Sequence, residues 1–344
     1  MNNNVLFLER KTNPVWKGYQ NAFRALGWNV FISNTGNTLF TKNKIKENNI
    51  DILFASAADH LKSIPRDIDI PLCLEASPCN HDRLSFNNED VLEIEDIDLF
   101  SGLKNPFLFT YLEPDHWSTY LSMWLKICKI NHSPLAGDLT IGCHTDMNMK
   151  YHVGSLLDFH KSDDPYKNFI LPIIQRFGNK LTYNIRKYCS ESELLDMYAT
   201  SLFTVNLHDI DNCKNQFYIN SQSFDIPLRG GDQMIDSILY KKYLGNHVRF
   251  VPDFYSLNHT LEHHLCNFSA KDRSYNIFET AKYIGSSHTY FNRLLDIFKY
   301  FQMSDHYDNC HRVYQRLYNQ HIWKMECVLS ASISNEKYTE EPNE

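Results

Sequence analysis

The sequence lacks any apolar run of the ~18 residues that a bilayer-spanning helix requires. It also lacks the basic start, long apolar stretch and cleavage site of a signal peptide, because Met1-Asn2-Asn3-Asn4 leads directly into the strand-like Val5-Leu6-Phe7-Leu8. There is no Cys-x-x-Cys pair, and the nine cysteines are odd in number. This argues against a disulfide framework and for reduced thiols in a cytoplasmic protein. Neither cysteine nor histidine falls at zinc-ligand spacing; His259, His263 and His264 merely lie close in sequence, so no metal is expected. No long basic run accompanies the formal charge of −7, which argues against nucleic acid as the main partner. No repeat of about 20–50 residues indicates a solenoid.

What remains is an ordinary globular composition, 43% hydrophobic and 22% charged, which excludes disorder over the whole chain. At 344 residues the chain exceeds the size at which one core stops growing, so two domains are expected. The 20 Tyr and 22 Phe residues fill cores, and such side chains also line sugar and nucleotide pockets.

Val5 to Leu8, Val30 to Ile32, Asp51 to Ala55, Pro71 to Leu74 and Phe107 to Tyr111 are short apolar runs that read as strands. Trp16, Tyr19, Phe23 and Leu26 share one helical face, and Gly27 follows at the usual C-cap position. Strands alternating with helical patterns predict a parallel sheet. Residues 1–132 therefore read as one Rossmann-like domain, and the turn residues of Asn131 to Gly137 as a linker. The pattern restarts with a strand over Asp138 to Cys143, a helix over Tyr151 to Phe159 and a strand within Asn179 to Tyr188. Ser190 and Glu193 form a capping box before a helix carrying Leu194 to Tyr198. Leu202 to Leu207 is a strong strand, and Phe217 to Leu228 is partly helical despite Pro227. Arg229-Gly230-Gly231 is a turn, with short strands at Gln233 to Ile235 and Val248 to Val251. This second domain spans 138–302. A last helix over 303–331 carries Tyr314, Leu317, Tyr318, His321 and Met325 on one face, which is read as core packing with a partner or membrane-surface contact as the alternative. A polar, acidic tail over 332–344 is expected to be disordered.

Two segments carry candidate chemistry. In Ile141-Gly142-Cys143-His144-Thr145, a glycine after a strand permits close backbone approach to a ligand, and a following helix start would hold phosphate, assisted by Lys150. In Phe224-Asp225-Ile226-Pro227-Leu228-Arg229-Gly230-Gly231, a carboxylate precedes a glycine turn. It can accept both hydroxyls of a ribose, while the turn leaves room for a nucleotide or sugar.

The succession of Met197-Tyr198, Val205-Asn206-Leu207-His208, Phe224-Asp225 with Gly230-Gly231, Phe250-Val251-Pro252-Asp253 and His288-Thr289-Tyr290 with Arg293 resembles the donor domain of GT-B glycosyltransferases. It resembles the spore-maturation (CgeB-like) branch especially. It covers about residues 138–302; the N-terminal half matches only in its βαβ rhythm. The chain has Asp225 where that branch has Glu, Gln222 and Ser223 where it has an Arg, and Tyr218 where the wider GT-B pattern has a further Glu.

The resemblance implies two Rossmann-like α/β domains facing each other across a cleft. It implies transfer of a sugar from a nucleotide-sugar donor to a glycan, lipid-linked or protein acceptor, with no cofactor and no obligatory metal. It places Asp225 at the ribose, Gly230 and Gly231 at the diphosphate or sugar, and Gly142 and Lys150 at the opposite wall. Lys150 and Arg229 would offset the leaving-group charge, and His208 would line the donor site. A base for the acceptor hydroxyl is expected on an N-domain loop: Asp59 or His60, Glu75, or Glu113 with His116. The expected location is the cytoplasm, alternatively at the inner face of the membrane. Competing readings are a GT-B-fold epimerase and a non-catalytic binding protein on the same frame.

Overall fold

The computed structural model describes residues 3–9, 14–34, 37–76, 94–145, 148–156, 166–186, 189–208, 216–267 and 269–336. In chain order the main elements are β1 (Asn4–Leu8), α1 (Pro14–Ala25), β2 (Asn29–Ser33), α2 (Thr38–Glu47), β3 (Ile52–Ser56), β4 (Leu72–Glu75), α3 (Ile94–Ser101), β5 (Phe107–Thr110), α4 (Ser122–Ile127) and β6 (Asn131–His132). They continue with β7 (Tyr151–Leu156), α5 (Leu171–Phe177), β8 (Tyr183–Arg186), α6 (Glu191–Thr200), β9 (Ser201–Asn206), α7 (Gln222–Leu228), β10 (Gln233–Ile235) and β11 (Arg249–Phe250). The chain closes with α8 (Phe254–Cys266), α9 (Ala270–Ser287), α10 (Tyr290–Tyr300) and α11 (Ser304–Glu336). It divides into two compact units, Met1–Leu135 with Tyr290–Tyr314, and Ala136–Thr289 with Gln315–Glu344. Residues 290–302, assigned by the sequence pattern to the second domain, thus fall in the first unit.

The first unit is an α/β layer around a parallel sheet ordered β2-β1-β3-β4-β5-β6. Every residue of β1, β3, β4 and β5 is buried, because helices cover both faces of a parallel sheet. Phe7 stacks on Phe54 with ring centres 4.7 Å apart, and Trp16 and Phe23 of α1 meet Phe54 edge-on. Gly27, at φ 80°, turns the chain out of α1 in the left-handed conformation that glycine tolerates. At Gly18 a Cβ would lie 1.9 Å from the Tyr290 ring, so α1 meets α10 through a bare glycine.

The second unit has the order β11-β10-β9-β7-β8, again all parallel. Numbered from its own first strand this is 2-1-3-4-5, the arrangement that begins the first sheet. Both units are therefore Rossmann-like, with a topological switch at β1/β3 and at β7/β9. Val153, Phe203, Val205, Met234, Val251, Leu257 and Leu261 form the core beneath the second sheet. Ser190 and Glu193 make the capping box at the start of α6, with both reciprocal hydrogen bonds present.

Three expectations fail in the second unit. Residues 151–156 are the strand β7, not a helix; 157–159 lie outside the described residues. The small residues Gly154 and Ser155 hide the strand in the sequence. A Cβ at Gly154 would sit 2.4 Å from Ser201 Oγ, and Ser155 Oγ donates to the Val205 carbonyl at 2.9 Å, so close strand pairing excludes larger side chains here. The 138–143 stretch is no strand: Asp138 Oδ1 accepts from the Thr140 N–H at 2.9 Å and its hydroxyl at 2.6 Å, which bends the chain locally. Finally, α11 runs to Glu336, since neither Gly nor Pro interrupts 304–336. Residues 337–344 of the expected disordered tail lie outside the described residues.

Candidate functional site

In the second unit α7 starts beside the carboxyl end of β9, the edge at which open parallel sheets bind ligands. Asn206, the last residue of β9, donates to Ser223 Oγ at 2.7 Å, and Asn220 Nδ2 donates back to Asn206 Oδ1 at 2.9 Å. Asn220 Oδ1 in turn accepts the Ser223 N–H at 2.9 Å. Pro227 has no N–H for the Ser223 carbonyl one turn back; Gln233 Nε2 supplies that hydrogen bond at 2.9 Å. The proline is thus accommodated inside α7, and the helix is locked to β9 and β10. Phe224, Ile226 and Leu228 are buried along it.

That lock orients Asp225 in the first turn of α7. Its side chain is 25% exposed. Gly137 lets the chain pass close by, since a Cβ there would lie 2.3 Å from Leu228 Cδ1. The next residue, Asp138, donates its backbone N–H to Asp225 Oδ1 at 3.4 Å. Burial raises the Asp225 carboxyl from 3.8 to about 6; nearby Arg229 opposes this and the Asp138 carboxylate adds to it. Arg229 Nη2 stands 3.7 Å from Asp225 Oδ1, one turn along the helix.

Beyond Arg229, Gly230 adopts φ 95° and donates to the Pro227 carbonyl at 3.1 Å, while Gly231 donates to the Ile226 carbonyl at 2.9 Å. This pair closes the helix in a glycine-dependent cap. A Cβ at Gly231 would approach Ile226 Cγ2 at 2.7 Å and the Tyr198 carbonyl at 3.0 Å. Asp225, Arg229, Gly230 and Gly231 therefore form one continuous feature.

Lys150 is engaged within the fold. It precedes β7 rather than a helix, and its Nζ pairs with Asp196 of α6 at 2.9 Å. Among the described residues of 141–150 no helix starts to hold phosphate, which corrects the expectation drawn from that stretch. Gly142 is exposed in the bend after Thr140, with Lys324 Nζ 3.6 Å from the position of a Cβ. His208 is engaged within the fold: Asn220 donates its N–H to His208 Nε2 at 3.1 Å, so Nδ1 carries the proton and donates to Asp236 at 2.7 Å. It braces the ends of β9 and β10.

In the first unit the candidate bases gather at the carboxyl edge of the sheet. Ser56, Glu75 and Phe109 lie in register across β3, β4 and β5. Glu75 is buried, and its Oε2 accepts the Trp16 indole N–H at 3.0 Å. His60 is buried, with Nδ1 accepting the Ser56 N–H at 3.3 Å, and Asp59 beside it is half-buried. Glu113 is buried with Oε1 3.8 Å from His132 Nε2, whereas His116 is half-buried. Asp138, Lys324, Glu9 and His132 are not singled out as site residues by the sequence pattern, and His321 is read from it only as part of a packing face. Glu9 is buried at the end of β1 and bonded to Gln20. A buried carboxylate directly after a strand was the available signal for Glu9, but β1 ends in a loop that gave it no context.

Among the described residues no group of three or more His, Cys, Asp or Glu side chains is placed to hold a metal ion. No helix among them is long and apolar enough to cross a membrane. No family model matches the sequence, and no curated protein matches it significantly. The reading of the site therefore rests on its geometry and on the motifs within it.

Proposed function

We propose that the protein is a metal-independent glycosyltransferase of GT-B type, taking a nucleotide sugar as donor and a glycan, lipid-linked or protein hydroxyl as acceptor. The observation that carries this reading is the partly open Asp225 side chain in the first turn of α7, which starts beside the carboxyl end of β9, with the Arg229 guanidinium 3.7 Å from it and the Gly230-Gly231 turn closing the helix. A carboxylate in that position accepts two hydroxyls of a ribose, and a guanidinium neutralises phosphate oxygens.

In the reaction the acceptor oxygen bonds to the anomeric carbon. The bond from that carbon to the diphosphate breaks, and the nucleoside diphosphate leaves with the electron pair. Arg229 offsets the charge that develops there. The acceptor proton goes to a general base.

A thermal-shift panel of uridine, guanosine, cytidine and deoxythymidine diphosphates and their sugar conjugates tests the reading. A donor that binds only the folded chain raises the midpoint; no shift with any member of the panel would sink the donor site. With a donor in hand, sugar interconversion without an acceptor would indicate an epimerase instead.

A further inference from the structure

The C-terminal cap of α7 holds more positive charge than its surroundings use. Arg229 is 7% exposed, and its Nη1 is buried with no hydrogen-bond partner among the described residues. Beside it lies His321 of α11, 5% exposed, which hydrogen-bonds the Leu228 backbone while its Nε2 is buried and unpartnered among the described residues. Burial is the main force holding this imidazole down at about 4, and the charges of Lys324 and Arg229 push it the same way.

One turn along α11, Lys324 Nζ donates to the Cys143 carbonyl at 3.3 Å, and no carboxylate pairs with it among the described residues. The 142–144 bend is tied in from both sides, because the His144 N–H donates to the Arg229 carbonyl at 3.3 Å. Three elements thus bring two cations and a buried imidazole nitrogen together.

Neutralising the end of α7 does not account for this. Its carbonyls are already satisfied: those of Asp225, Ile226 and Pro227 accept from residues 229–231, that of Leu228 from His321 and that of Arg229 from His144. A buried guanidinium nitrogen left without an acceptor is costly, and an anion is the group that would satisfy it.

We propose that Arg229 and Lys324, with the 142–144 bend, form a binding site for a phosphate or diphosphate group, to which the C-terminal helix contributes Lys324. This deepens the donor reading above and rests on it for the identity of the full ligand. The anion chemistry itself would equally admit a free phosphate. The two sources differ in their dependence on Asp225.

The test is isothermal titration of the full chain with inorganic diphosphate in magnesium-free buffer, alongside the nucleotide sugar that gives the largest thermal shift. Wild type binds diphosphate at one site. Lys324→Met weakens it about tenfold, the loss of one charge-assisted hydrogen bond, and Lys324→Arg restores it. Asp225→Ala leaves diphosphate binding intact or tighter, while removing nucleotide-sugar binding.

Failure of wild type to bind diphosphate overturns the proposal, as does a folded Lys324→Met chain that binds it like wild type. Lys324 is partly exposed, so folding is preserved, and circular dichroism checks it. If nucleotide sugars bind through Asp225 but are indifferent to Lys324, this proposal falls and the donor reading stands. If diphosphate binds through Lys324 and no nucleotide sugar binds, the reverse holds.

Discussion

Arg229 Nη2 lies 3.7 Å from Asp225 Oδ1, one helical turn away, yet the carboxyl of Asp225 remains raised to about 6. Desolvation outweighs the guanidinium at this distance, and the adjacent Asp138 carboxylate works with it. A carboxylate held in this way costs the folded chain stability once it ionises.

The sign of the pH dependence follows. Asp225 ionises near 3.8 when unfolded and near 6 when folded, so between these values the folded chain binds the extra proton. Stability contributed by this group is full at low pH and is lost as pH rises through about 6. Asp225→Asn retains an acceptor for the Asp138 N–H and cannot ionise. Its stability advantage over wild type should open as pH rises from about 4 to 6, to at most about 3 kcal/mol, and then stay constant. Urea denaturation across this range measures it; parallel curves would contradict the raised value.

His321 acts in the opposite direction. Its folded value of about 4 lies below the unfolded 6.5, so the folded chain binds fewer protons and loses stability as pH falls between these limits. His321→Gln should flatten that acid loss. Thermal melts of the two chains between these limits check it, and equal slopes would exclude His321 as a contributor.

His208 and Asp236 form a buried brace with side chains 1% and 2% exposed. Asp236→Ala strands the His208 ring proton and the His208 N–H, and should cost about 3–5 kcal/mol in chemical denaturation. Asp236→Asn keeps an acceptor and should cost less. A cost near zero for Asp236→Ala would show that the brace does not hold the β9 and β10 ends.

The glycine turn separates backbone strain from close packing. Gly230→Ala forces φ 95° on a residue with a Cβ and should cost about 1–2 kcal/mol. Gly231→Ala carries no such φ but drives a Cβ into Ile226 and the Tyr198 carbonyl, so it should cost more. Denaturation midpoints rank the two, and the reverse order would contradict the packing described.

Much of the fold could be read from residue type. Continuous apolar runs such as Ile52 to Ala55 and Leu202 to Val205 became fully buried strands, and Gly27 and the Ser190–Glu193 box marked helix ends. β7 was not legible, because its key residues are chosen small for contact with β9 and α6 across more than 40 positions of sequence. The two-residue β6 was hidden among turn residues.

The same holds for the site. Asp225, Arg229 and the glycine pair are contiguous and carry their own signal, whereas Asp138, His321 and Lys324 reach them only through tertiary folding. Lys150 had the right charge in the sequence, but Asp196 takes it.

The most direct test of the central claim is titration of nucleotide sugars into wild type, Asp225→Ala and Asp225→Glu. The account predicts binding by wild type, none by Asp225→Ala, and largely retained binding by Asp225→Glu, since a carboxylate is what the ribose hydroxyls need. Wild-type affinity in a folded Asp225→Ala chain would contradict it.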